Sequence, residues 1–317
     1  MIELLVSHYR EPREVVDGLL RCIDSQRDVD FSEVLVTVCN DGIDVPLDLS
    51  AAHPYEVRYM EAERGGVSHT RNALLDAATG DHVMFIDCDD RLLGDRSLSR
   101  LVELSGLADM VIPSYMQERA DGTLVRRDNR IQMMQGKVFR LSFLRERGIR
   151  FDDDFVIAGD PYFLWQAALL GSRAVVREPL YVWTYNVGSV CRDEPLHFHK
   201  AMWRRVESDG RLCALFDSLG MHGWADIFVR RLVTQPYVVR STDGWTHCAD
   251  TFDGMLARRT LAWWLARYLD RYLVMPEPVR RAAYDGFVRS YQSEPSGGFA
   301  GMVAWARGAA DFEWGVC

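Results

Sequence analysis

Short apolar runs alternate with amphipathic stretches over the first half of the chain. Ile2–Ser7, Val34–Cys39 and His82–Ile86 are apolar at nearly every position, which is typical of strands buried on both faces of a parallel sheet. After the first run comes Pro12, which favours the first turn of a helix, and then apolar residues at helical spacing from Val15 to Ile23. The pattern predicts an α/β fold with a mainly parallel sheet.

Weaker signals extend this prediction along the chain. We expect further strands at 56–60, 109–115, 173–177 and 181–185, and helices at 65–78, 138–148 and 160–171. Beyond about residue 196 the pattern becomes helical and rich in tryptophan, and its longest predicted helix covers 255–275. The sequence therefore predicts an α/β domain at 1–195 and a mainly helical C-terminal module at 196–317.

Polar side chains follow three of the predicted strands, where ligands bind in parallel α/β sheets. The sharpest group is Asp87, Asp89 and Asp90 after the strand at 82–86. Three carboxylates within four residues repel one another unless a cation or solvent neutralises them. Oxygen ligands suit Mg²⁺ or Mn²⁺, which bridge carboxylates to phosphates. A solvated acidic turn is the alternative, but the preceding buried strand favours a metal-diphosphate site.

Four blocks of sequence resemble family 2 glycosyltransferases of the GT-A type, in the order that the family has them. LLVSHYRE (Leu4–Glu11) resembles the first strand and its "TYN" turn, and VTVCNDGID (Val36–Asp44) resembles the "DDGS" block. Arg64–Asp90 resembles the stretch with "ARN" and the DxD motif, and Gly136–Phe163 the stretch with the catalytic carboxylate. The resemblance covers residues 1 to about 192. It implies a Rossmann-like domain that binds a nucleotide-sugar and inverts the anomeric centre.

The resemblance implies a role for each side chain near the strand ends. Tyr9 would stack on the nucleobase, Asp41 would accept from a base N–H, commonly of uracil, and Arg71 would reach the base or the diphosphate. Tyr9 packing on its neighbours and Arg71 pairing with Glu61 or Glu63 are the structural alternatives. The implied donor-binding residues are Ser7, Tyr9, Asp41, Arg71, Asp87 and Asp90. Of these, Asp90 would approach the sugar. Asp87 and Asp89 would hold the metal, Mn²⁺ or Mg²⁺.

Asp160 is the implied catalytic base. Attack on the anomeric carbon requires the acceptor hydroxyl to lose its proton, which a nearby carboxylate can accept. The alternative is that Asp160 caps a helix that has Pro161 at its first position. The acidic run Asp152–Asp154 offers substitute bases, although three adjacent aspartates are typical of a solvated turn.

The chain departs from the family pattern at two positions. Asn40 stands where the first Asp of "DDGS" is usual, and Gly159 stands where a Glu normally precedes the base. Both departures put full activity in question. Further along, either His197 or His199 could serve as a late metal ligand, as in some GT-A enzymes, although exposed histidines are commoner than ligands.

Charge and composition limit the class of partner. The net charge of −9 argues against non-specific coating of nucleic acid, although residues 1–199 carry −11 and residues 200–317 carry +2. The seven cysteines include no CxxC pair, so a zinc ribbon has no support. No apolar run is long enough to span a membrane, and the first residues lack the basic region of a signal peptide, so a cytoplasmic protein is expected.

The sequence thus predicts a glycosyltransferase that moves a sugar from a nucleotide-sugar, commonly a UDP-sugar, to an acceptor hydroxyl. The acceptor is open among a saccharide, a lipid carrier and hydroxymethylated DNA, and the Trp- and Arg-rich module at 196–317 is expected to help define it. Peripheral contact of that module with a membrane is a further alternative. From another class, the chain could be an inactive nucleotide-sugar-binding module, because of Asn40 and Gly159.

Overall fold

The computed structural model describes residues 1–42, 47–155, 159–186, 202–234, 238–241, 244–247, 252–291 and 298–308. The chain divides into two compact units, 1–187 and 188–317. Each unit is described by itself below.

The first unit contains one mixed β-sheet with helices on both faces. Its strands are β1 (Ile2–His8), β2 (Val34–Asp41), β3 (Glu56–Ala62), β4 (His82–Asp87), β5 (Arg91–Leu92), β6 (Met110–Glu118), β7 (Leu124–Arg127), β8 (Val138–Arg140) and β9 (Arg173–Trp183). They lie in the order β3-β2-β1-β4-β8-β6-β9-β5, and β7 pairs with β6. The neighbours from β3 to β4 in this order pair in parallel, and β8 runs antiparallel to both β4 and β6.

Two hydrophobic clusters form the core of this unit. Alternate side chains of a strand point to opposite faces of its sheet, so Leu4 and Val6 of β1 join one cluster and Leu5 joins the other. The helices of this unit are α1 (Arg13–Asp24), α2 (Gly66–Ala77), α3 (Ser97–Ser105), α4 (Leu141–Glu146) and α5 (Gly159–Leu170). Helix α1 packs in the first cluster, and α2, α4 and α5 pack in the second.

The register of the parallel strands brings the predicted donor residues to one edge of the sheet. Ser7 of β1 lies opposite Cys39 of β2 on one side and Asp87 of β4 on the other. Because these strands are parallel, their carboxyl ends finish side by side. The residues that follow them are therefore neighbours in space although they are far apart in sequence.

The α/β fold class is confirmed, and two predicted elements differ in detail. The helix predicted at 138–148 is instead β8 followed by α4, because residues 138 and 139 are buried and pair with β4 and β6. The two strands predicted at 173–177 and 181–185 are one strand, β9, whose pairing with β6 shifts register near Pro179. A proline cannot donate to a strand ladder, which explains the irregularity at that residue.

The second unit is largely helical. The helix predicted at 255–275 is interrupted at Tyr268. It becomes two helices, α8 (Phe252–Arg267) and α9 (Leu269–Leu273). A short antiparallel hairpin, β10 (Val238–Ser241) and β11 (Gly244–His247), was not predicted. The described helices are α6 (Met202–Ser218), α7 (His222–Thr234), α8 (Phe252–Arg267), α9 (Leu269–Leu273), α10 (Glu277–Tyr291) and α11 (Gly298–Gly308). Across the described parts of the chain, we find no helix with the length and apolarity needed to cross a membrane.

Candidate active site

Arg71 joins the carboxylates of two separate sequence blocks. Its Nη2 donates to Asp87 Oδ1 at 2.8 Å, and its Nη1 donates to Asp160 Oδ1 at 2.5 Å. The guanidinium is buried and lies against the rings of Phe85 and Phe151, 5.9 and 5.5 Å from their centroids. Burial alone would lower the pKa of Arg71, but Asp160 and Asp87 outweigh it and raise that pKa. The two carboxylates thus share one fixed cation.

Helix α2 presents three polar side chains to the segment that carries Asp160. Ser68, Arg71 and Asn72 are spaced i, i+3 and i+4, so they share one face of the helix. Ser68 Oγ donates to the Phe155 carbonyl at 2.8 Å. The Asn72 amide accepts from the Phe151 N–H and donates to the Phe151 carbonyl, both at 3.0 Å. One helix face therefore contacts residues on both sides of the undescribed stretch 156–158, namely Phe151, Phe155 and Asp160.

Asp160 lies in the first turn of α5, where the helix dipole favours a negative charge. About a third of its side-chain surface is exposed (34%), so the carboxylate faces open space while Arg71 fixes one oxygen. The predicted alternatives at 152–154 form a turn: Asp152 Oδ1 accepts from the Asp154 N–H at 3.1 Å, and Asp153 accepts from Asn72 at 2.7 Å. They belong to the loop that α2 anchors.

The three carboxylates after β4 have different environments. Asp87 is 41% exposed and contacts Arg71. Asp89 accepts from the Asn186 amide at 3.0 Å, and burial raises the pKa of its carboxyl. Within the described residues, three or more acidic, cysteine or histidine side chains nowhere converge on a common point that could hold a metal. Asp87 and Asp89 alone would therefore leave several coordination positions to a ligand and to water.

Asp90 is buried, and both of its carboxylate oxygens accept hydrogen bonds, one from β9 and one from the residue that follows β9. Oδ2 accepts from the Tyr181 hydroxyl at 2.6 Å, and Oδ1 accepts from the Thr184 N–H at 2.8 Å. Burial and the charge of Asp87 raise the pKa of the Asp90 carboxyl well above its ordinary value. The role near the sugar stays a prediction, and the contacts seen give Asp90 a structural role that the sequence did not indicate.

The predicted nucleobase residues lie at the ends of β1 and β2. Tyr9 is exposed, with the guanidinium carbons of Arg10 and Arg64 5.0 and 5.1 Å from its ring centroid, and Arg64 also donates to its hydroxyl. Asp41 accepts from the N–H groups of Gly65 (2.8 Å) and Gly66 (3.0 Å) at the start of α2. Gly66 has a φ of +81°, a conformation that favours glycine. Asp41 therefore anchors α2, and its base contact remains a prediction.

Gly159 has a steric explanation in this fold. A Cβ added there would lie 2.5 Å from Ser68 Oγ, too close for any larger residue unless the serine moves. The family's Glu at this position therefore could not be accommodated without displacing the Ser68 contact to Phe155.

His197 and His199, the predicted late metal ligands, lie outside the described residues.

Several supporting residues were missed by the sequence analysis. Tyr181 and Asn186 hold the acidic turn, and Ser68 and Asn72 hold the segment before α5. The helical spacing of 68, 71 and 72 was a usable signal for the second pair. No local signal in the sequence connects Tyr181 with Asp90, 91 residues earlier.

Comparison with known proteins identifies the family. The family model for glycosyl transferase family 2 matches residues 4–178, which is more than half of the chain. A curated relative, the succinoglycan biosynthesis protein ExoO of Rhizobium meliloti (strain 1021), is 25% identical over 238 residues. That match covers 61% of this chain and 66% of ExoO, so the matched region spans slightly less than two thirds of the relative's length.

Solved structures share the fold. The crystal structure of S. aureus TarS 1-349 has a TM-score of 0.59 at 17% identity and covers 92% of this chain and 89% of its own. The same protein solved in complex with UDP has a TM-score of 0.52 at 16% identity, over 98% of this chain and 90% of its own. These likenesses show the fold. Together with the family match, which spans both carboxylates that Arg71 joins, they show that this chain belongs to glycosyl transferase family 2.

Proposed function

We propose that this chain transfers a sugar from a UDP-sugar to an acceptor hydroxyl, with inversion at the anomeric carbon. The observation that carries the proposal is the double ion pair of Arg71, which brings Asp87 of the DxD block and Asp160 of the second block into one centre. Support for the donor class comes from TarS, a relative in fold, which has been solved with UDP and with UDP-GlcNAc.

Asp160 acts as the base in this proposal. Arg71 occupies Oδ1, so the second oxygen is the one that accepts the proton of the acceptor hydroxyl. A positioned carboxylate of this kind contributes about 10²–10⁴-fold to the rate. Because Arg71 is itself buried against two aromatic rings, the base has a fixed direction before any substrate binds.

A divalent cation, Mn²⁺ or Mg²⁺, suits the acidic turn. Asp87 and Asp89 would hold it, since Asp90 is engaged by β9. Two carboxylates fit a cation that takes its other ligands from phosphates and water. When bound, the cation would stabilise the negative charge of the departing diphosphate. Asn186 would then keep Asp89 in place through its hydrogen bond to Oδ2.

The acceptor is proposed by class only. The helical unit carries seven of the nine tryptophans of the chain, and large aromatic rings are favoured where a protein binds another molecule. We assign acceptor recognition to this unit. Binding of candidate saccharides to the full chain, measured directly, tests this assignment.

A binding experiment tests the donor assignment. The melting temperature of the full chain is measured with UDP, GDP and several UDP-sugars, with Mn²⁺ and with a chelator, because a ligand that binds the folded state stabilises it. We expect UDP with Mn²⁺ to raise the melting temperature. Asp89→Asn should abolish the metal-dependent part, whereas Asp128→Asn, at an exposed carboxylate, should not. Equal stabilisation with and without metal would contradict the metal assignment.

A further inference from the structure

A buried histidine and a buried asparagine lie directly behind the two predicted nucleobase residues. His8 immediately precedes Tyr9, and Asn40 immediately precedes Asp41. The two are opposite each other in the parallel pairing of β1 and β2. His8 Nδ1 lies 2.9 Å from Asn40 Oδ1, and both side chains are almost wholly excluded from solvent. The pair therefore connects the ends of the two strands from which the donor residues project.

His8 also fixes the turn that contains Tyr9. Its Nε2 donates to the Glu11 carbonyl at 2.8 Å. The Glu11 carboxylate in turn accepts from the Tyr9 N–H at 2.8 Å and from the Arg10 N–H at 3.2 Å. These bonds close residues 8–11 into one compact turn. The imidazole is thus the link between this turn and β2.

The network continues across the sheet from Asn40. Its Nδ2 donates to the Tyr59 hydroxyl at 3.3 Å, and that hydroxyl donates to Glu61 at 3.0 Å. Asn40 is thereby held from two sides, by β1 and by β3. Removing His8 would take away the imidazole that lies 2.9 Å from the Asn40 amide oxygen, and losing a buried polar contact is costly.

His8 and Asn40 also depart together from the resembled blocks. The "TYN" block has a threonine where His8 stands, and the "DDGS" block has an aspartate where Asn40 stands. The two exchanged residues contact each other. In this chain the end of the sheet is therefore built around the contact between His8 and Asn40, directly behind Tyr9 and Asp41.

We propose that His8, through Asn40 and Glu11, is a positioning residue that sets the Tyr9 turn against Asp41 and so determines the affinity for the nucleotide of the donor. The inference rests on the proposed function, because it assumes that Tyr9 and Asp41 receive a nucleoside diphosphate. His8 itself does not contact the nucleotide in this account. Its substitution should therefore change donor affinity more than the rate at saturating donor.

UDP binding to the full chain is the first test, measured by titration calorimetry with the wild type, His8→Ala and His8→Gln. His8→Ala should raise the Kd for UDP about tenfold or more, with kcat at saturating donor changed less than about threefold. His8→Gln keeps an amide near the position of Nε2, so it should recover part of the affinity. The control is His53→Ala, at a histidine whose side chain is 8% exposed and contacts Asp24, which should leave the Kd unchanged.

A double-substitution cycle tests the pairing itself. His8→Thr and Asn40→Asp should each weaken UDP binding, and the two together, which restore the residue types of the resembled blocks, should recover the affinity to within about threefold. Additive losses would overturn the proposal, as would a wild-type Kd in folded His8→Ala. If His8→Ala does not fold, the cycle decides alone. If the wild type binds no nucleoside diphosphate, the proposed function fails and this inference fails with it.

Discussion

Arg71 and Asp160 are 89 residues apart in sequence, and they form an ion pair of 2.5 Å at the centre of the site. The same guanidinium also donates to Asp87. Its two terminal nitrogens therefore connect the end of β4 with the start of α5. Only arginine has donors in this geometry, since a lysine ammonium is a single point of charge. Arg71 therefore fixes the position of Asp160 relative to Asp87.

Arg71→Lys should lower kcat/KM for sugar transfer by about 10²-fold, because one ammonium cannot hold both carboxylates. The measurement is steady-state release of UDP from the donor. The matched control is Arg150→Lys, since Arg150 also reaches an aspartate, Asp76, through two nitrogens, but at the exposed surface. Similar kinetics for the two variants would contradict the central place of Arg71.

Gly159→Ala should distort the start of α5, since its Cβ would meet Ser68 Oγ at 2.5 Å. We expect destabilisation of about 1–3 kcal/mol, as for other overpacked positions, and a lower rate of transfer because Asp160 is the next residue. Ser68→Ala in the same chain should relieve the clash and recover part of both losses. Gly106→Ala is the control, since a Cβ at Gly106 meets nothing. Urea unfolding measures the stability of these variants. If Gly159→Ala is as stable as the wild type, the added Cβ does not clash with Ser68.

Tyr181→Phe should destabilise the first unit by about 1–3 kcal/mol, because it removes the hydroxyl that donates to the buried Asp90. Replacing Asp90 by Asn as well should restore part of the loss, since a neutral amide is less costly to bury than a carboxylate with one donor. Chemical unfolding of the two variants decides this. If Tyr181→Phe is as stable as the wild type, the hydrogen bond does not anchor the acidic turn.

Asp109 gives the clearest dependence of stability on pH. Burial would raise its pKa, but hydrogen bonds from the Ser172 N–H and hydroxyl, at 2.8 Å each, and from Arg140 lower it below the ordinary value. Since the folded pKa is depressed, its stabilisation is present above about pH 4 and is lost as the pH falls through that region.

Asp109→Asn should therefore be less stable than the wild type at pH 7, and the difference should shrink as the pH falls below about 4. Urea midpoints at about pH 7, 4, 3 and 2 measure it, with the exposed Asp128→Asn as a variant for which no comparable change is expected. A difference that stays constant with pH would show that the Asp109 charge is not involved.

The strands that carry the site were predictable because they are buried on both faces. β1, β2 and β4 are apolar at most positions, and each was predicted to within two residues of its observed ends. By contrast, β8 has three residues and exists because β4 and β6 flank it. A strand of this kind depends on partners distant in sequence, and no local periodicity reveals it.

The candidate residues were predictable and their partners were not. Motif order indicated Arg71 and Asp160 separately, with the base or the diphosphate as the implied contact of the arginine and the nearby Glu61 or Glu63 as the structural alternative. The structure instead pairs it with Asp87 and Asp160, which the sheet and α5 bring together. Likewise Gly159 and Asn40 read as losses in the sequence, whereas their contacts with Ser68 and His8 are visible only in the fold.

The most direct test of the account is the rate of UDP release from a UDP-sugar by Asp160→Asn. Asn has the size and shape of Asp, and its amide oxygen can still accept from Arg71, so the fold should persist. The Kd for UDP should stay within about threefold of the wild type, since UDP binding is assigned to residues before Asp160. UDP release from a UDP-sugar with Mn²⁺ should fall by about 10²-fold or more. A variant that binds UDP normally and releases it at nearly the wild-type rate would show that Asp160 is not the base.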